Sequence, residues 1–307
     1  MAPRRPPDIL RKSHAHSEGK TRARDRRALR ESLDESLIER TGFSGLLIDL
    51  DGVVYRGDEP MAGAAEALAA LEALGLPRLF VTNTTSRPRE AIVRKLAGFG
   101  IAATVEDILS PANAAAVWLE AHGCRRLLAL MPEATAETLA GFELVSLAEA
   151  DRGAAVDAVV IGDLGRAWTF DALNGAFRCL IQKPAPALIA LGMTRYWRAP
   201  EGLRLDTGPF VAALEHASGV EPVVLGKPAA AFYAAALERL GTPAATTVMI
   251  GDDIRTDIAG AQAAGLKAIL VRTGKFRPAD LELRIVPDLV IDSIADLPEI
   301  LAREASS

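Results

Sequence analysis

The sequence predicts a doubly wound α/β fold, a parallel sheet with helices on both faces, interrupted by an inserted α/β unit. Three observations predict it. From residue 45 onward, short apolar runs alternate with Ala/Leu-rich helical stretches. The runs are continuously apolar, as strands buried on both faces are. Finally, 145 residues separate Thr82 from Lys227, far more than one crossover needs, and this stretch repeats the same strand and helix rhythm.

The first strand is "GLLIDL" (45–50), followed by the helical "AGAAEALAALEALG" closed by Gly75. "RLFVTN" (78–83) is the second strand. "RPREAIVRKLAGFG" is a helix with Pro88 near its first turn and Gly98 and Gly100 at its end. "PVVLGKP" (222–228), "TTVMIGDD" (246–253) and "KAILVRTG" (267–274) read as further strands of the same sheet, with helices between them. In the middle, "RRLLALMP", "DAVVIGDL", "TFDALNGAFRCLI" and "PALIALG" form a unit with its own apolar runs. The expected division is a basic tail over 1–40, a core over 41–122 and 220–307, and an inserted domain over 123–219.

Composition bounds the function. The chain has 307 residues, is 50% hydrophobic and carries a net charge of -5, enough apolar material for a large core. No run approaches the roughly 18 apolar residues that cross a bilayer, and the N-terminus has no apolar signal core, so a cytoplasmic protein with no membrane partner is expected. Cys124 and Cys179 are too few for a disulfide framework and lack metal-ligand spacing. Residues 1–30 hold ten basic and three acidic side chains, whereas the other 277 residues net -12. The tail is too polar to pack a core and lacks base-stacking aromatics, and the acidic body argues against nucleic acid. "GKT" at 19–21 fails as a phosphate loop because His14 stands where a glycine is required.

Chemistry concentrates at the strand ends. Asp49 and Asp51 are two apart, so on a strand both would point to one site at the carboxyl edge, where open α/β sheets bind ligands. Two such carboxylates repel and resist burial unless a cation intervenes; a hard divalent ion with oxygen ligands, Mg²⁺, resolves this. After the second strand, the Thr82 hydroxyl and Asn83 amide are suited to phosphoryl oxygens. Lys227 follows "VVLG", and Asp252, Asp253 and Asp257 follow "VMIG". "VVIGDLG" (159–165) also ends an apolar run in Gly-Asp, but with no second carboxylate nearby Asp163 reads as structural.

The ordered set Asp49, Asp51, Gly52, Thr82, Asn83, Lys227, Gly251, Asp252, Asp253 and Asp257 resembles the haloacid dehalogenase (HAD) superfamily of phosphohydrolases. "FVTNTTSRPR", "GPFVAALEHASG" and "MIGDDIRTDIAGAQAAG" resemble more narrowly its branch with a large α/β cap inserted in a Rossmann-like core. The likeness covers about residues 43–301 and omits the tail. It implies Asp49 as nucleophile and Asp51 as general acid and base, with an aspartyl-phosphate intermediate. It further implies Mg²⁺ held by Asp49, the Asp51 carbonyl and Asp252, substrate contacts from Thr82, Asn83 and Lys227, and bracing by Asp253 and Asp257. Small phosphorylated metabolites, pyrophosphate or phosphoramidates are the implied substrates, and a homodimer through the cap the implied assembly. Arg195, Tyr196, Trp197 and Arg198 either read the leaving group or form a hairpin on the cap. The alternatives are dehalogenation by the same nucleophile, a non-catalytic phosphate-binding regulator, and a nucleic-acid-associated protein acting through its tail.

Overall fold

The computed structural model describes residues 42–199 and 202–304, so the expected basic tail of residues 1–40 lies outside the described residues. In chain order the strands are β1 (Gly45–Asp49), β2 (Tyr55–Arg56), β3 (Glu59–Pro60), β4 (Arg78–Val81) and β5 (Ile108–Leu109), then β6 (Arg126–Leu130), β7 (Glu143–Leu144), β8 (Ala158–Ile161) and β9 (Ala187–Ala190). They are followed by β10 (Tyr196–Ala199), β11 (Gly202–Leu205), β12 (Pro222–Val224), β13 (Thr247–Gly251), β14 (Lys267–Val271) and β15 (Leu289–Ile291).

A six-stranded sheet has the order β15-β14-β13-β1-β4-β5, with every pairing parallel. The chain builds outward from β1 through β4 to β5, then returns to the other side of β1 with β13 and continues to β14 and β15. The order therefore reverses between β1 and β13, the switch point at which doubly wound sheets open a crevice. Residues 46–48 are fully buried, and their alternation splits the core: Leu46 and Ile48 join Phe80, Val248 and Ile250 on one face, while Leu47 joins Val81, Met249 and Tyr233 on the other. Truncating such a residue costs about 2–5 kcal/mol.

The second sheet has five parallel strands in the order β12-β9-β8-β6-β7. Here the structure corrects the sequence reading. "PVVLGKP" does not supply a core strand, because Pro222–Val224 pair with Leu188–Ala190 and complete the smaller sheet. A three-residue apolar run signals burial but carries no record of its partner. The chain thus leaves the smaller sheet at Val224, three residues before Lys227. One apolar cluster joins the two units, with Leu127, Met131, Ile189 and Leu191 from the second meeting Leu225, Leu47 and Phe232.

Helix boundaries follow local signals. Ser110 and Asn113 form a capping box with Pro111 at the first position of the helix Pro111–Ala121. Gly219 and Gly241, at φ 72° and 71°, close the helices Thr207–Ser218 and Ala230–Leu240. Arg195–Arg198 enter the antiparallel hairpin β10–β11, and Tyr196 is half exposed there. Cys124 and Cys179 are buried and unpaired. Among the described residues no helix is long and apolar enough to cross a membrane.

Candidate active site

Register places the predicted residues along one edge of the core sheet. Asp49 stands beside Val81, so Thr82 is the next residue out on β4; Gly251 ends β13 beside β1, so Asp252 follows at the same edge. Asp49, Asp252 and Asp257 are all buried, with carboxylate oxygens within 4.8 Å of one another. Lys227 reaches into this group. Its Nζ lies 2.7 Å from Asp49 Oδ1 and 2.7 Å from Asp257 Oδ1, with only 3% of its side chain exposed.

Three carboxylates against one ammonium leave the cluster with excess negative charge in a site sheltered from water. Burial pushes Asp252 well above the usual carboxylate range, and Asp49 and Asp257 add to the rise. Burial likewise raises Asp257, with Lys227 opposing. For Lys227, burial acts to lower the pKa, but Asp257 and Asp49 outweigh it and hold the ammonium charged. Asp252 Oδ2 accepts from the Lys275 backbone N–H at 2.7 Å, whereas Oδ1 is buried with no partner among the described residues. An orphaned, buried carboxylate oxygen facing two other acids is what an oxygen-ligated divalent cation would complete, so the residues fit such an ion.

Close approach explains two glycines. A Cβ on Gly52 would lie 2.0 Å from Asp252 Oδ2, and one on Gly274 would lie 1.9 Å from the same atom; both have positive φ, 93° and 62°. The Asp252 carboxylate is thus pressed between the turn after β1 and the turn after β14.

The remaining predicted residues fall into different relations. Asp253 caps the π-helical turn Ile254–Ala259, its Oδ1 accepting from the N–H groups of Arg255 (3.0 Å) and Thr256 (3.1 Å). Its own N–H donates to Asp257 Oδ2 at 3.2 Å. Thr82 is buried, and its Oγ1 accepts from the Thr84 N–H at 3.1 Å. Asn83 has both ends of its amide engaged by Lys227: Nδ2 donates to the Lys227 carbonyl (2.9 Å) and Oδ1 accepts from its N–H (2.8 Å). Its side chain holds the lysine's backbone where the sequence suggested a phosphoryl contact.

Asp51 lies outside the buried cluster. β1 ends at Asp49, so the two-residue strand period does not extend to Asp51, which is exposed in the following turn. Its charge remains near: burial raises the Tyr55 phenol, and Asp51 and Asp49 raise it further, keeping it neutral.

Three features went unread in the sequence. Tyr233 is buried behind the turn and donates its hydroxyl toward the Thr256 carbonyl (2.8 Å) and the Asp257 carbonyl (3.1 Å). Thr273 Oγ1 donates to the Gly52 carbonyl at 2.5 Å, and Arg56 Nη2 to the Gly274 carbonyl at 3.1 Å, so the turn carrying Lys275 is bonded to the turn carrying Asp51. Thr85 Oγ1 accepts from the Asp163 N–H at 3.2 Å, joining the loop after β4 to the second unit. "VRTGKF" follows an apolar run as the other site segments do; the strand-end rule, extended to four residues past β14, would have found Lys275.

Comparison with known proteins finds relatives over most of the chain. A haloacid dehalogenase-like hydrolase family model matches residues 46–144, and a HAD-hydrolase-like model matches residues 224–297. The human phospholysine phosphohistidine inorganic pyrophosphate phosphatase is 35% identical over 269 residues, covering 86% of this chain and 96% of that protein. The bovine haloacid dehalogenase-like hydrolase domain-containing protein 2 is 37% identical over 241 residues, covering 78% and 88%. Among solved structures, the p-nitrophenyl phosphatase from Archaeoglobus fulgidus superposes with a TM-score of 0.76 at 29% identity, covering 84% of this chain and 99% of that one. The two family matches, together with relatives at 35% and 37% identity aligned over most of this chain, place it among the haloacid dehalogenase-like hydrolases.

Proposed function

We propose that the protein is a Mg²⁺-dependent phosphatase that works through a phosphorylated Asp49. The observation that carries this reading is the buried Asp49 carboxylate held by Lys227 beside Asp252 and Asp257 at the switch point of the sheet. Mg²⁺, for which the orphaned Asp252 Oδ1 and the all-oxygen donor set are suited, would be held by Asp49, Asp252 and the Asp51 carbonyl, and supplies positive charge that offsets repulsion between carboxylate and phosphate.

In this mechanism Asp49 attacks phosphorus in line and the bond to the leaving oxygen breaks, dividing one hard displacement into two easier ones. Asp51, exposed at the edge of the crevice, donates a proton to the leaving oxygen and then removes one from the water that hydrolyses the acyl phosphate. Lys227 stabilises charge on the transferring oxygens, together with the Thr82 hydroxyl. Asn83 acts by fixing the Lys227 backbone. Asp257 orients the ammonium, and Asp253 holds the turn that carries Asp257.

The second sheet is proposed as a cap that selects substrates, over residues 123–219 with Pro222–Val224 added because they pair there. The core then comprises 41–122 and the rest of 220–307. Small phosphorylated metabolites, pyrophosphate and phosphoramidates are the proposed substrates, in a cytoplasmic setting. A homodimer through the cap is part of the proposal, with the exposed Tyr196, Leu203 and Leu205 of the β10–β11 hairpin as a suitable face.

The test is release of phosphate from p-nitrophenyl phosphate. Activity that requires Mg²⁺ and disappears in Asp49→Asn supports the reading; phosphate binding with no turnover in the presence of Mg²⁺ would instead make the protein a regulator.

A further inference from the structure

Lys275 combines a fixed backbone with a largely exposed charge. Its N–H is bonded to Asp252 Oδ2, Gly274 before it is packed against the same carboxylate, and Thr273 before that is bonded to the Gly52 carbonyl. The root of the side chain is therefore tied to the acid cluster on three sides. The ammonium is held more loosely: it pairs with Asp253 Oδ2 at 3.6 Å, and 66% of the side chain is exposed. It stands in the field of Asp252, Asp49, Asp253 and Asp257, which together hold it protonated against partial burial.

Lys275 thus stands beside the acid cluster with its ammonium exposed to an incoming substrate. When the bond to phosphorus breaks, the electron pair stays on the leaving oxygen. A leaving group that is already anionic then gains more negative charge beside several carboxylates, and needs a cation there.

We propose that Lys275 is a specificity-determining residue that favours phosphoryl donors with an anionic leaving group, inorganic pyrophosphate being the simplest. This rests on the phosphatase reading above. Lys227 is sequestered by Asp49 and Asp257, whereas Lys275 is mostly exposed and pairs with Asp253 only at 3.6 Å, so the two lysines divide the work between the transferred phosphoryl group and the group that departs.

The experiment compares pyrophosphate with phenyl phosphate, whose leaving group carries no charge in the substrate, in the full-length protein and in Lys275→Met and Lys275→Arg. We expect Lys275→Met to lower kcat/KM for pyrophosphate by about tenfold or more, the size of one charged hydrogen bond, and for phenyl phosphate by less than about twofold. Lys275→Arg should restore most of the pyrophosphate activity. An equal loss on both substrates, or no loss on either, would overturn the proposal, because a lysine acting only through Asp252 or through stability has no reason to discriminate. A second arm needs no turnover: in Asp49→Asn, calorimetry should show pyrophosphate bound about tenfold more weakly after Lys275→Met, with phenyl phosphate unchanged. Should the wild-type protein hydrolyse neither compound, the phosphatase reading fails, and this binding arm still decides whether Lys275 reads the charge.

Discussion

Two parallel sheets in this chain each reverse their strand order at one point and differ in what lies beyond their strands. In the six-stranded sheet, β1 and β13 run into Asp49 and Asp252 at the switch point. In the five-stranded sheet, β8 runs into Gly162 and Asp163 beside β6, also at a reversal of strand order. There the crevice is filled by side chains. Met131 and Leu191 are buried against Gly162, and the Asp163 carboxylate accepts from the Gly165 N–H at 2.9 Å, within its own turn. A Gly-Asp turn after an apolar strand thus joins a buried acid cluster in one sheet and braces its own turn in the other. The difference lies in whether a second acid and a buried cation arrive from elsewhere in the chain.

The strongest way to break this contrast is to exchange the two aspartates' fates. Asp49→Asn should lower kcat for p-nitrophenyl phosphate by at least about a thousandfold, as loss of a nucleophile does, and Asp163→Asn by less than about threefold. Comparable losses at both positions would show that the second sheet contributes reacting groups. Next in size is Lys227→Met. It leaves Asp49 and Asp257 buried without their counter-charge, which costs about 3–5 kcal/mol, so thermal unfolding should move down by several degrees along with the activity. Mg²⁺ should recover part of that stability by supplying the missing positive charge.

Glycine substitutions sharpen the comparison further. Gly274→Ala drives a methyl to 1.9 Å from Asp252 Oδ2, so the Mg²⁺ concentration for half-maximal activity should rise by about tenfold or more. Gly162→Ala meets only Met131 and Leu191 side chains, at 3.1 and 3.2 Å, and should leave the metal requirement unchanged with a stability cost of about 1–2 kcal/mol in chemical denaturation. A more modest loss of activity is expected for Tyr233→Phe. Losing the hydroxyl's bonds to the Thr256 and Asp257 carbonyls should cost about 1–2 kcal/mol and lower kcat several-fold with KM little changed, since the turn carrying Asp257 loosens while the substrate surface is untouched.

Much of the site was legible because its residues are strand-end residues. Asp49, Thr82 and Asp252 each follow an apolar run, and an apolar run that stops at a polar residue is a local pattern. Errors arose where a local rule was carried beyond its element. The two-residue period was applied to Asp51, but β1 had already ended at Asp49. The Asn83 amide, read as a contact for a phosphoryl oxygen, is engaged at both ends by the backbone of a residue 144 positions away. Lys275 stands four residues past the end of β14, beyond the reach of a rule that looks at the residues next to a strand.

By itself the sequence determined where the long apolar strands of the core run and which charged side chains stand near their ends, because burial pattern and chain punctuation are properties of neighbouring residues. Only the tertiary structure decided that Pro222–Val224 join the smaller sheet, that Lys227 bridges Asp49 to Asp257, and that Asp163 braces its own turn. The physical reason is that strand pairing and electrostatic fields depend on which distant segments meet. An apolar strand is compatible with either sheet, and a carboxylate's role is set by the charges brought within a few ångströms of it.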